Sequence, residues 1–252
     1  MSEARRDEIC AVAIAEIFRG DGEILASAMG TLPTIGARLA KMTFEPDLLI
    51  SDGFAYLLGD VPPVGAPGDS VVEGWLPFRS VFDLVWSGRR HVLMGATQID
   101  RFGNQNISCI GDFRRPSVQL IGTRGAPGNT LHHKTSYWIP NHSKKVFVDT
   151  VDVVCGVGYD RAAALGPLAS RFHAIPRVVS NLGVFDFETP ERRMRLRSLH
   201  PEVTLDEVIA STDFDLVIPK TVAQTRLPTA DELRLLREHI DPLGIGAREL
   251  RS

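Results

Sequence analysis

Three stretches of the sequence gather side chains able to do chemistry. The first is "PDLLISDGFAYLLG", Pro46 to Gly59, an apolar strand running into Ser51, Asp52 and Gly53. A strand ending in a polar turn holds its side chains on rigid backbone yet open to solvent. Ser51 lacks the G-x-S-x-G elbow of a nucleophilic serine, and no His/Asp partner is identifiable for it. Asp52, if exposed, ionises near pH ~4 and is a weak base unless burial raises its pKa. The residue types leave nucleophile, general base and plain turn residue all open.

The second stretch is "QLIGTRGAPGNTLHH", a strand leading into Gly122, Gly125, Gly128 and then Asn129. Glycines after a strand let backbone N–H groups approach an oxyanion or phosphate closely. The spacing is neither a dinucleotide fingerprint nor a Walker loop, so a ligand loop and a plain surface loop stand side by side. The third stretch, "GATQIDRFGNQNIS", places Gln98, Asp100, Arg101, Asn104 and Asn106 within nine residues. Gly103-Asn104 reads as a turn. A structural hydrogen-bond network is the leading reading there, with substrate contacts from Gln98, Arg101 and Asn104 as the functional one. His132, His133 and His142 do not make a metal site, because adjacent histidines cannot easily share one tetrahedral ion and no carboxylate joins them at ligand spacing.

The elements that must carry these residues alternate. The opening "MSEARRDEICAVAIAEIF" is interrupted by Asp7, Glu8 and Glu16 and spaces Cys10, Ile14 and Phe18 as an amphipathic helix, not as a signal peptide. "EILAS" reads as a strand, "TIGARLAKMTF" as a short helix and "DLLIS" as a strand. A helix follows over "PFRSVFDLVWSG", with Phe78, Val81, Phe82 and Val85 on one face, then the buried strand "HVLMGA". This order predicts an α/β fold, an open and mostly parallel sheet flanked by helices. Further strands are expected in "NQNISCIG", "SVQLIG" and "KKVFVDTVDVV", and a hairpin in "RVVSNLGVFDF". Thr204 with Glu207 and Thr229 with Glu232 are capping-box pairs that open two C-terminal helices, the second striped by Leu233, Leu236 and Ile240. "VPPVGAPGDS" and "GYDRAAALGPLAS" read as exposed loops. With no repeat and no composition break, residues 1–252 are read as one domain.

Composition narrows the classes. Of the 252 residues 44% are hydrophobic and 23% charged, and the net charge is −3, which gives no electrostatic footprint for nucleic acid. No run of about 18 apolar residues suggests a membrane span. Cys10, Cys109 and Cys155 are scattered and odd in number, as expected of reduced thiols in a cytoplasmic protein.

Taken together, several segments resemble one family, the β subunits of class I CoA-transferases of the glutaconate type. "GATQIDRFGNQN" is similar to that family's Gly-Ala-x-Gln-Val-Asp-x-x-Gly-Asn-x-Asn segment. "VVSNLGVFDF" followed by "MRLRSLHPEVTLDEVIASTDF" resembles its C-terminal hairpin and His-Pro-Gly-Val-Thr helix start, and "PTADELRLLREHIDP" its closing helix. The resemblance implies a homologous α subunit, assembly as an α2β2 heterotetramer, an active site between subunits, and a CoA thioester as substrate with no separate cofactor. Family transferases carry a glutamate two residues before a glycine, which attacks the thioester. Anchored on Gly53, that position is Ser51, and serine without a base cannot take over carboxylate chemistry. Asp52 is one residue displaced, and on a strand it points to the opposite face. Asn129-Thr130 and Glu202 are further departures, the latter replacing the glycine after His-Pro.

"SDGFAYLL", "NTLHHKTSYW" and "RVVSNLGVFDF" direct the resemblance to a hydrolytic branch acting in steroid (cholesterol) degradation. That branch opens a ring in a cyclic β-ketoacyl-CoA by C–C hydrolysis. On this reading Ser51 and Asn129 position water or donate to an oxyanion, and the base comes from the α subunit. Asp52, Gly53, Gln98, Arg101, Asn104, Gly125, Gly128 and His132 mark the substrate pocket. The alternative is a transferase β subunit that moves CoA between carboxylic acids, using Asp52 as nucleophile.

Overall fold

The computed structural model of the protein describes residues 3–65, 70–77, 79–80, 83–84 and 89–250. The helix expected around Phe78, Val81, Phe82 and Val85 falls outside the described residues, as does part of the loop "VPPVGAPGDS".

Along the chain, α1 (Arg6–Ala15) precedes β1 (Leu25–Ala28), α2 (Thr31–Thr43), β2 (Ile50–Ser51), β3 (Tyr56–Leu58), β4 (Val72–Trp75) and β5 (Arg90–Met94). Four two-residue strands follow, β6 (Gln98–Ile99), β7 (Gln105–Asn106), β8 (Cys109–Ile110) and β9 (Val118–Gln119). Next come α3 (Ala126–His132), β10 (Lys134–Ile139), α4 (Tyr159–Ala164), α5 (Pro167–Ser170), β11 (Val178–Ser180), β12 (Gly183–Asp186) and β13 (Arg195–Leu199). The chain ends in α6 (Leu205–Ala210), β14 (Ala223–Gln224), α7 (Ala230–Leu235) and α8 (Gly246–Glu249). The fold is α/β, a mixed sheet with flanking helices, as the alternation predicts.

The contacts gather into two compact units, residues 1–94 with 225–252 and residues 95–224. In the first, β1 and β5 pair in parallel, with Leu25 opposite Arg90 and Ala28 opposite Leu93. Helix α2 lies against α1, and Gly36 is what lets them approach: a Cβ there would sit 2.3 Å from Ile14 Cγ2. Helix α1 is buried from Asp7 to Ala15, all round rather than along one stripe. Glu8 tolerates this because Arg237 bonds its carboxylate at 2.7 and 2.9 Å and the Arg5 backbone N–H at 2.8 Å. A separate antiparallel ribbon, β2-β3-β4, puts Ile50 opposite Leu58 and Tyr56 opposite Trp75.

In the second unit β10 and β11 run in parallel, β11-β12-β13 form an antiparallel meander, and β14 joins β13 in parallel. The β11–β12 hairpin is the one expected from "RVVSNLGVFDF". Two expectations are corrected here. "KKVFVDTVDVV" forms no regular strand; it meets β6 through an isolated bridge of Phe147 to Ile99 and through Asp152, which bonds the Gln98 side chain. "GYDRAAALGPLAS" is not an open loop but carries α4 and α5. Gly158 opens α4 in close contact with other backbone: a Cβ there would meet Asn104 N at 2.5 Å and Phe102 O at 2.7 Å. Both threonines cap their helices, Thr204 and Thr229 each accepting from the N–H three residues on at 3.2 Å, but the full capping box forms at Thr229 alone, where Glu232 accepts the Thr229 N–H at 2.8 Å. Glu202 sits at φ 68, a conformation that glycine adopts without strain. Among the described residues no helix is long and apolar enough to cross a membrane.

Candidate active site

The turn after β2 answers the question raised by "LLISDGF". Asp52 Oδ1 accepts the backbone N–H groups of Phe54, Ala55 and Tyr56 at 2.8, 2.9 and 3.0 Å. Partial burial works against its ionisation, but those N–H groups overcome it and hold the carboxyl below the usual aspartate range. An acid held ionised in this way is a poor base and a poor nucleophile. Asp52 is therefore the clamp of a turn. Gly53 takes φ 84 with open space around it, so the backbone conformation is what asks for glycine. Ser51 Oγ accepts the Gly53 N–H at 3.2 Å, which leaves the hydroxyl proton available to donate.

Ser51, Asp52 and Gly53 form one wall of a cavity of about 380 Å³ within the first unit. The other walls come from β1, from Thr34, Ala37 and Arg38 on one face of α2, from Leu76 beyond β4, and from Arg90 at the start of β5. Arg90 is buried and donates from Nη2 to Ser27 Oγ at 2.8 Å. Arg38 is half-buried, and desolvation pushes its guanidinium below the ordinary arginine range, with Asp60 only partly offsetting it. Sequence reasoning missed both arginines. The signal was present in "TIGARLAKMTF", where Thr34, Ala37 and Arg38 recur at helical spacing on a face otherwise expected to be apolar.

The remaining sequence-derived residues lie in the second unit. Asn104 is 1% exposed and fully engaged: its amide donates to Asp100 and Asp160 at 2.9 and 2.8 Å, and its oxygen accepts from Gly158 N at 2.7 Å. Gln98 donates to Asp152 at 3.1 Å and accepts from Asn106 and from Asp152 N. Arg101 pairs with Asp149. These contacts give Gln98 and Asn104 a framework role, and burial removes the substrate contact expected of Asn104. Burial also raises the pKa of Asp100 despite the donors around it.

Gly125, Gly128, Asn129 and His132 do not form a loop. Gly125 caps α3 and the other three lie inside it, with Pro127 near its start. The N–H of Ala126 bonds Thr123 O and that of Asn129 bonds Gly125 O, so these two are not oxyanion donors. The Asn129 side chain is buried at 7% exposure, while Thr130 fixes the helix by accepting Val157 N–H at 2.9 Å. His142 is buried between Ser180 Oγ and Thr212 Oγ1, each at 3.0 Å from a ring nitrogen. Among the described residues no three histidine, cysteine or acidic side chains group as metal ligands.

The polar turn, the cavity beside it and the element order can be set against known proteins. Residues 82–211 match the coenzyme A transferase family model. The cholesterol ring-cleaving hydrolase IpdB subunit of Rhodococcus jostii (strain RHA1) is 56% identical over 250 residues, 99% of this chain and 98% of that protein. The crystal structure of Rhodococcus jostii RHA1 IpdAB superposes with a TM-score of 0.94 at 56% identity, covering 99% of each chain. One glutaconate CoA-transferase subunit, from Acidaminococcus fermentans, is 28% identical over 93% of this chain and 92% of its own length. The chain belongs to the coenzyme A transferase family, alongside its cholesterol ring-cleaving hydrolase IpdB subunits.

Proposed function

We propose that the chain is the β subunit of a heteromeric hydrolase that opens the ring of a cyclic β-ketoacyl-CoA from steroid degradation. A serine at the position of the family's nucleophilic glutamate, beside an aspartate tied to three backbone N–H groups, carries this reading. The full-length similarity to the IpdB subunit supports it. Neither Ser51 nor Asp52 is equipped to form an acyl anhydride, so the thioester is left intact and water is the attacking group.

In the reaction, water adds to the ring ketone. The bond from that carbon to the α carbon breaks, and its electron pair enters the thioester enolate. Protonation of the enolate leaves a ring-opened acyl-CoA with a new carboxylate. Ser51 donates its hydroxyl proton to developing oxyanion charge, and a carboxylate of the α subunit deprotonates the water.

The test uses the chain co-purified with its α subunit, supplied with a cyclic β-ketoacyl-CoA in H₂¹⁸O. One ¹⁸O atom in a new carboxylate with the thioester intact is the expected product. CoA transferred to an added carboxylate acceptor, with the ring closed, would establish the transferase alternative. The isolated chain is expected to be inactive.

A further inference from the structure

Two side chains beside Ser51 are out of place for a chain at rest in water. Phe54 and Met29 line the cavity, yet they are 85% and 45% exposed, whereas Leu25 and Ile50 on its inner wall are buried. A side chain that lines a cavity and also meets solvent stands at its opening. Scattered exposed hydrophobes are ordinary on a protein surface, but these two reach one opening from separate elements. Each is fixed there by its backbone. The Met29 N–H donates to Leu93 O at 2.8 Å where the β1–β5 pairing ends. The Phe54 N–H donates to Asp52 Oδ1 at 2.8 Å, in the turn that Gly53 closes at φ 84. That turn holds an aromatic ring out in water, a position that becomes favourable when apolar matter covers the ring.

The cavity itself says what covers it. Leu25, Ala28, Ile50 and Leu76 continue the apolar wall inward from the opening. A volume of about 380 Å³ lies near the lower end for ligand pockets and suits an acyl group, not a whole CoA. The part of an acyl-CoA that meets Phe54 and Met29 is therefore hydrocarbon. A saturated ring suits them well, because a rigid body has little freedom to lose on being held and the flexible methionine thioether adapts to its outline. We propose that Phe54 and Met29 are specificity-determining residues that grip the alicyclic body of the acyl group at the mouth of the cavity. The proposal rests on the acyl-CoA reading above and deepens it. Ser51 acts on developing oxyanion charge, whereas Phe54 and Met29 touch only hydrocarbon and select a ring over a short acyl chain.

The experiment measures binding to the heteromer by calorimetry, with cyclohexanecarbonyl-CoA and acetyl-CoA, which share the CoA and differ in the ring. Wild type is expected to bind the cyclohexyl thioester roughly 30-fold or more tighter, the effect of burying such a ring against apolar side chains. Phe54→Ala reduces that preference about tenfold and Met29→Ala about threefold, each mainly by weakening the cyclohexyl thioester, while Phe54→Leu keeps most of it. With a cyclic β-ketoacyl-CoA as substrate, the loss in Phe54→Ala falls on KM more than on kcat, because the hydrocarbon contact is the same in ground and transition states. An unchanged preference, or equal weakening of both thioesters, would overturn the grip. So would Phe54→Ala heteromer that falls apart in sedimentation while both affinities drop together, because the α subunit would then be what covers Phe54.

The binding measurement also separates this proposal from the hydrolase reading. Cyclohexanecarbonyl-CoA has no β-ketone and is not opened, so a preference lost in Phe54→Ala upholds the grip even if no ring opens in the ¹⁸O experiment. Ring opening beside an unchanged preference overturns the grip and leaves the hydrolase standing. If Phe54→Ala does not assemble, Met29→Ala decides, and a preference equal to that of wild type overturns the proposal.

Discussion

At the scale of the residue, the turn after β2 separates two side chains that are neighbours in sequence. Ser51 lines the cavity with Oγ accepting the Gly53 N–H, while Asp52 Oδ1 is taken up by its own turn's backbone. Ser51→Ala is expected to lower kcat by about tenfold to a hundredfold with little change in KM, the signature of an interaction made in the transition state. Steady-state kinetics of the heteromer would show this, and an unchanged kcat would remove Ser51 from the chemistry. For Asp52 the expectation is structural. Asp52→Ala removes an acceptor for three N–H groups and should cost on the order of 1–2 kcal/mol, read as a shifted denaturant midpoint. Asp52→Asn keeps one oxygen toward the turn and should retain most of the activity. A nucleophile or base would lose activity in both variants alike.

At the scale of the element, the long or strongly patterned pieces were legible: α2, β5, the β11–β12 hairpin and both threonine caps. Their signals are local, a period or a cap that needs no distant partner. What misled was composition without context. "KKVFVDTVDVV" is rich in β-branched residues, yet only Phe147 makes a bridge to another strand. Gly125 and Gly128 suggested a loop, but Gly125 ends one and Gly128 is helical. The framework role of Asn104 was half legible, since its partners Asp160 and Gly158 lie more than 50 residues away in sequence. Arg38 was passed over, despite its helical spacing from Thr34, because a charge on a helix is ordinarily a solvated face. Two glycine positions test the packing. Gly36→Ala should destabilise by about 1–3 kcal/mol through overpacking. Combined with Ile14→Ala it should cost less than the two single changes added together, because the second change empties the space the first needs. Glu202, held at φ 68, is the reverse case. Glu202→Gly should stabilise by roughly 0.5–1 kcal/mol in the same denaturation assay, whereas a loss would show that the Glu202 side chain matters more than its backbone.

At the scale of the whole molecule, each unit holds buried ionisable groups whose protonation works against folding in acid. In the first, Glu8 is bonded by Arg237, and Glu232 by Arg226 at 2.7 Å. In the second, Asp186 is fully buried and bonded by Arg195 at 2.9 and 2.8 Å. Burial opposes ionisation of all three, and the arginines overcome it, so each carboxyl lies below its ordinary range. A depressed carboxyl gives stability that is present above its unfolded pKa, near 4, and lost as pH falls through the folded value. His142 acts earlier. Burial pushes its pKa down to about 3, so the folded chain keeps it neutral while the unfolded chain binds a proton below about 6.5. The unfolded state then holds more protons, and stability declines from about pH 6.5 downward, by a few kcal/mol at most from this group. Asp100, raised by burial, opposes the trend only near its own titration. Denaturant midpoints measured from pH 7.5 to 3.5 should therefore fall in two stages, a shallow one beginning near 6.5 and a steeper one below about 4. His142→Gln keeps a polar group between Ser180 and Thr212 and should shrink the first stage without touching the second, the remainder coming from His173, which burial also holds below the ordinary histidine range. An undiminished first stage in that variant would take the effect away from His142.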